Sequence, residues 1–182
     1  NPSLMMISGR PKNTSGTCVA CVMEGTRPIL AEVQGLVCAT RFGTPRRMST
    51  GFDYNRMSML LAVLEKRAGY FFNNMDAYVN VVGGLKLDEP AADLTVALAL
   101  VSSLKDKAVD DKTIAFGEVG LAGEIRAVNN CEQRIAEAKR LGFERCIIPF
   151  HNYKSITNSL KSTFDIIPVR NIREAFSALV EE

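Results

Sequence analysis

The chain has 182 residues, 47% hydrophobic and 23% charged, which suits one domain that buries its own core without disulfide or metal staples. A net charge of +2 is too small to announce a nucleic-acid partner by itself, so any basic signal must come from local clustering. The longest apolar run, 94–104, is interrupted by Thr95, Ser102 and Ser103 and is far too short to span a bilayer.

The chain starts Asn1-Pro2-Ser3, with no initiator Met and no charged segment leading an apolar core. The expectation is a piece of something longer, without a secretory signal. Stretches 4–8, 16–24 and 28–39 are rich in Val, Ile, Met and Cys and are separated by turn residues, which predicts three strands. Residues 40–51, rich in Arg, Gly and Thr and holding Pro45, are predicted to form an exposed loop.

Asp53 is placed to cap a helix over 55–68, where Met57, Leu60, Leu61 and Leu64 recur at helical spacing and Gly69 supplies a stop. Residues 77–82 predict a strand ending in Gly83-Gly84. Asp88-Glu89-Pro90 then opens a second helix, apolar nearly all round and so expected to be buried. Stretches 114–119 and 124–128 flank Gly120-Leu121-Ala122-Gly123 and predict a hairpin. An amphipathic helix over 132–141 closes at Gly142 and leads to a strand over 145–149. A helix near 153–160, a strand over 165–169 and a last helix from Asn171 follow, with Asn171 and Glu174 at capping-box spacing. Strands first, then helices alternating with strands, argue for one domain of α+β or α/β type.

Five scattered cysteines suit free thiols in a reducing cytoplasm. Cys18 and Cys21 have zinc-knuckle spacing but no second pair. In a strand, positions three apart face opposite ways, so buried small hydrophobes are the better reading and no metal site is expected. The single histidine, His151, is read as an exposed loop residue, which leaves Ser-His and Cys-His catalysis without a base. Neither a G-x-x-x-x-G-K-S/T loop nor a G-x-G-x-x-G after a strand occurs, so nucleotide binding of those kinds is not expected. A serine–lysine dyad, which needs no histidine, has to be examined separately.

Residues 79–104 and 114–149 resemble the proteolytic domain of Lon peptidases. The run Gly83-Gly84-Leu85-Lys86-Leu87-Asp88-Glu89-Pro90-Ala91-Ala92-Asp93 is similar to Lon's nucleophile segment, in which the residue after the shared proline is the catalytic serine. That position is Ala91 here. Gly117-Glu118-Val119-Gly120-Leu121-Ala122-Gly123-Glu124-Ile125 resembles the hairpin before Lon's catalytic lysine, and an ungapped count puts that lysine at Glu132. The resemblance therefore implies an α+β fold of the Lon proteolytic-domain type (ribosomal protein S5 domain 2-like) with no catalytic residues. Ser102 and Ser103 lie about three turns further along the same helix and cannot substitute at Ala91. Cys131, beside Glu132, has no evident histidine partner.

Phrases such as Phe42-Gly43-Thr44-Pro45-Arg46-Arg47, Asp53-Tyr54-Asn55-Arg56 and Glu89-Pro90-Ala91-Ala92-Asp93 resemble the RadA (Sms) family's C-terminal domain. That resemblance implies one domain over 1–182. It also implies a longer bacterial protein with an N-terminal zinc finger and a RecA-like ATPase, which would hold the Zn, ATP and Mg. It further implies a hexameric ring on DNA that processes recombination intermediates by branch migration. Arg41, Arg46, Arg47 and Arg56 cluster with Phe42, Phe52 and Tyr54 against one acid, Asp53, and are the expected phosphate contacts. Pairing across a subunit interface and plain solvation stay open for them. Arg126, Arg134, Lys139, Arg140 and Arg145 form a weaker cluster, read as a solvated face.

Overall fold

The computed structural model describes residues 2–180. Its core is a seven-stranded mixed sheet, in the order β3-β4-β2-β1-β5-β8-β9. Strands β1 (Thr17–Glu24) and β2 (Arg27–Ala39) form a long antiparallel pair, and β4 (Met75–Val81) joins β2 antiparallel. The remaining pairings are parallel: β3 (Arg47–Thr50) on β4, then β5 (Thr113–Ala115), β8 (Arg145–Pro149) and β9 (Asp165–Val169) outward from β1. Parallel neighbours need crossovers, which the helices provide. The result is a mixed α/β arrangement rather than strands and helices kept apart.

One face of the sheet packs on α2 (Tyr54–Ala68), α3 (Asp93–Lys105) and α7 (Ile172–Val180). The other packs at its centre on α4 (Cys131–Arg140). Cys18 and Cys21 lie in different clusters, one on each face, as alternation requires. Helix α3 is buried from Asp93 to Ser102, as its all-round apolar sequence demands. It sits so close to β2 that a Cβ on Gly35 would lie 3.0 Å from the backbone of Ala99 and Leu100. Only a glycine lets the two backbones approach like this.

Local signals worked where they carried a mechanism. Asp53 caps α2 by accepting the Arg56 N–H at 3.0 Å, and Gly69 ends it in the left-handed region. Asn171 accepts the Glu174 N–H at 3.0 Å at the start of α7. The hairpin is β6 (Glu118–Val119) and β7 (Ile125–Arg126), closed by the Gly120 N–H on Glu124 O. Its expected first strand is split, because β5 belongs to the central sheet instead.

Three expectations are corrected. Residues 4–8 are not a strand: 4–7 belong to helix α1 (Pro2–Ile7), where a proline in the first turn loses no needed hydrogen bond, and Ser8 is in the turn that follows. The loop expected over 40–51 ends early, because Arg47–Thr50 pairs with β4 as an edge strand. The helix near 153–160 is two short ones, α5 (Phe150–Tyr153) and α6 (Asn158–Thr163), the second capped by Thr157. No helix among the described residues is long and apolar enough to cross a membrane.

Candidate functional site

The turn that resembles the Lon nucleophile segment leaves β4, passes Gly83-Gly84 and tightens into a single 3-10 turn over Pro90–Ala92 before α3 begins. Ala91 is buried, and its carbonyl accepts the Gly117 N–H at 2.8 Å. A cleft of about 200 Å³ opens beside it, lined by Glu89, Pro90, Ala91, Glu118, Val128 and Arg134 among others.

An arginine from another element holds this turn on each side of Ala91. On the N-terminal side, Arg134 of α4 pairs with Glu89. Its side chain is 0% exposed, against 24% for Glu89. The guanidinium also donates to Asn129 O at 2.9 Å, Asn129 Oδ1 at 2.7 Å and Cys21 O at 2.8 Å, so all its N–H donors find acceptors. Glu89 in turn accepts the Met23 N–H at 3.0 Å. On the C-terminal side, the fully buried Asp93 takes a two-pronged contact from Arg56 of α2 and accepts the Val119 N–H at 3.1 Å. Burial pushes the Asp93 carboxyl above its usual range, and the Arg56 and Val119 hydrogen bonds oppose the rise. The same hydrogen bond raises the Arg56 guanidinium.

Arg134 therefore departs from the solvated face to which its sequence neighbours assigned it. Of those neighbours, Arg126 pairs with Glu124 and Arg140 with Glu137, both at 2.9 Å, the partly buried Arg145 pairs with Asp165 at 3.2 Å, and Lys139 donates to the Thr163 hydroxyl at 2.8 Å. A helical signal for Arg134 did exist. Cys131, Arg134, Ile135 and Ala138 are the buried positions of α4, and they fall at one-face spacing.

Glu132, at the expected lysine position, points its chemistry elsewhere: its carboxylate accepts the Thr157 N–H ahead of α6. Ser102 donates to Lys107 O at 2.5 Å and accepts the Gly16 N–H, and Ser103 accepts the Val37 N–H at 2.9 Å. Both hydroxyls are occupied by packing. Burial pushes the Cys131 thiol up to about 12, far from a usable thiolate. His151 is exposed on α5, edge-on to Phe150. Cys18 and Cys21 are likewise pushed up to about 12, and Cys146 is raised well above its ordinary value. With excess maleimide at pH 8, mass spectrometry of the native chain should therefore find one adduct, on the exposed Cys38, and five after denaturation.

The four arginines expected to touch phosphate divide into two pairs. Arg47 turns its guanidinium back to Met75 O and to Phe72 O at 2.9 Å, and Arg56 is spent on Asp93. Arg41 and Arg46 are exposed, on either side of Phe42, which is 90% exposed. Asp76 anchors both ends of this tip by accepting the Thr40 hydroxyl at 2.9 Å and the Arg46 N–H at 2.8 Å, bonds that hold its carboxyl below the usual range. A hollow of about 420 Å³ lies between Cys38, Arg41, Phe42, Arg46 and Asp76. Its basic rim and projecting aromatic ring suit an anion attached to a flat base.

Residues 54–182 match the Lon protease (S16) C-terminal proteolytic domain family. The chain is 47% identical over 175 residues to DNA repair protein RadA of Halalkalibacterium halodurans, covering 96% of this chain and 38% of that protein. It is 49% identical to RadA of Streptococcus pneumoniae over 96% of this chain and 41% of the relative, and 44% identical to that of Synechocystis over 97% and 34%. It thus spans between about a third and two fifths of the length of these relatives. On these matches, the chain belongs to the Lon protease (S16) C-terminal proteolytic domain family, in the form carried by bacterial DNA repair proteins named RadA.

Proposed function

We propose that this chain is a non-proteolytic, DNA-contacting and ring-forming module of a RadA-type, ATP-dependent repair protein that processes branched recombination intermediates. In this reading, ATP, Mg and Zn belong to the ATPase and zinc-finger parts of the longer protein, and the domain has the S5 domain 2-like fold and works in the cytoplasm. The observation that carries the DNA contact is the loop tip, with Arg41 and Arg46 exposed around an exposed Phe42. The loss of peptidase chemistry rests on Ala91, whose methyl cannot attack a carbonyl, and on Glu132, which offers an acid where an amine is needed. The hexameric ring follows from the family resemblance.

The reading narrows the phosphate contacts to Arg41 and Arg46, since Arg47 and Arg56 support the fold. Arg41→Ala combined with Arg46→Ala should weaken duplex binding and make the slope of log affinity against log salt shallower by about 2, one unit for each phosphate lost. Fluorescence anisotropy across a salt titration measures this. An unchanged slope would remove the loop from the DNA contact, and a ring without any DNA binding at low salt would leave a purely structural module.

A further inference from the structure

Two large apolar side chains stand out in water at the C-terminal end of α2, Phe71 at 64% exposure and Leu121 at 68%. Leu121 is at the tip of the β6–β7 hairpin, and Arg67, in the last turn of α2, ties that tip down by donating from Nε to Leu121 O at 3.3 Å. A Cβ added on Gly123 would lie 3.0 Å from Arg67 Cβ, so hairpin and helix touch. Phe71 belongs to segment 69–72, which folds back on the same helix end through the Tyr70 N–H on Leu64 O at 3.0 Å and the Phe72 N–H on Glu65 at 2.7 Å.

Positive charge gathers between them. Arg173 of α7 donates from Nε to Arg67 O at 3.2 Å and reaches over Gly69, its Nη2 3.9 Å from where a Cβ there would stand. Lys105 holds its Nζ 5.4 Å from the centre of the Tyr70 ring, which packs edge-on against Phe176. A helix's last turn favours cations, which accounts for Lys66 and Arg67. It does not account for Arg173, placed in the first turn of α7, the end that favours anions. Among the described residues, none of Lys66, Arg67, Lys105 and Arg173 forms an ion pair. The acids next to them in sequence are engaged elsewhere: Glu65 with the Phe72 N–H, Glu174 with the Arg170 N–H and Asp106 with the Ser15 hydroxyl. Two guanidinium groups held side by side without a counter-ion break a local rule, and such breaks concentrate at functional sites.

We propose that this corner is a docking surface for an acidic segment of a partner protein, with carboxylates at Arg67 and Arg173 and apolar side chains on Phe71 and Leu121. The Nε donors are spent on backbone carbonyls, which fixes both arginine side chains and leaves their Nη donors for a carboxylate. Side chains fixed beforehand lose less freedom when a ligand arrives. Exposed arginines beside an exposed aromatic ring are the residue types that anchor protein partners. A nucleic-acid backbone would meet the charge but would leave the aliphatic Leu121 idle, since it has no flat face on which a base could stack. In a two-fold contact with a second copy, the patch would set its cations against themselves. The surface shares no residue with the Arg41–Arg46 loop, so it does not depend on the DNA reading.

The test is anisotropy with a labelled peptide of about ten residues, about 33 Å when extended, that carries a central run of aspartates with a leucine on each side. It is titrated with the chain and with Arg173→Glu, Phe71→Ser and the Arg41→Ala, Arg46→Ala pair. Arg173→Glu and Phe71→Ser are each expected to weaken peptide binding about tenfold, while the loop pair leaves it unchanged. Replacing the aspartates by asparagines, or the leucines by serines, should weaken binding to the unaltered chain as much. Carbodiimide coupling of the peptide to the unaltered chain gives a readout that needs no variant to fold, with crosslinks expected on Lys66 or Lys105. No saturable binding below about 1 mM overturns the proposal, as does equal affinity in both patch variants. Displacement of the peptide by a hairpin duplex, with loss of the crosslinks, overturns it too and gives the patch to nucleic acid. A fall in molar mass for Phe71→Ser at unchanged peptide affinity overturns it in favour of contacts between copies.

Discussion

Glu89→Ala is expected to cost about 3–5 kcal/mol of stability, read as a fall in the urea midpoint at unchanged slope. The reason lies in which partner stays behind. Arg134 is 0% exposed, and without Glu89 its charge keeps only the neutral acceptors Asn129 and Cys21 O. A stranded interior charge is among the few single-site defects of this size. Removing the arginine instead, as Arg134→Met, should cost less, because the desolvation of the guanidinium disappears with it and Glu89, a quarter exposed, can turn to water. That asymmetry separates a buried clamp from a surface ion pair, for which either change would be small.

Arg56→Ala should cost a similar 3–5 kcal/mol, by leaving Asp93 buried without its counter-ion. Here pH adds a second signature. Burial already lifts the Asp93 carboxyl above its ordinary 3.8, and losing Arg56 removes the strongest force that opposes the rise. The folded variant then keeps a proton that the unfolded chain releases. Its stability is fully present below the unfolded value of 3.8 and declines as pH rises through the lifted folded one. The deficit relative to the unaltered chain should thus be larger at pH 7 than at pH 5, in parallel urea titrations. A deficit independent of pH would mean that Asp93 stays charged, with Val119 N–H and water sufficing. DNA affinity per folded molecule should stay the same, which sets Arg56 apart from Arg41 and Arg46.

Much of this was legible in the sequence, for identifiable reasons. Asp53, Gly69, Gly142 and the Asn171–Glu174 pair act through local hydrogen bonds or backbone conformations, which neighbouring residues specify. The buried α3 was legible because a helix apolar on every side has no solvent face. The apolar run in α1 was not, because a few apolar residues fit either period. Strand β3 was hidden for a different reason: it is short and at an edge, and its pairing with β4 is long-range. The two clamps were the main loss. Arg56 and Arg134 looked like phosphate contacts or surface charge because charge says nothing about direction, and each partner acid lies 37 or 45 residues away. The inward position of Arg134 on α4 and the acid at the head of an otherwise apolar α3 were the available hints.

The clamps also bear on the proposed loss of peptidase activity. In the turn around Ala91, the two flanking carboxylates, Glu89 and Asp93, are each tied to an arginine, so ion pairs hold the turn on both sides. The most direct test is hydrolysis of fluorescein-labelled casein by the repurified chain, followed over hours against a buffer blank. No release above the blank is predicted, for the chain and equally for Ala91→Ser, which regains a hydroxyl but no amine to activate it. Cleavage that co-purifies with the chain through successive columns would contradict the account, since it would require a nucleophile and base that the Ala91 turn does not contain.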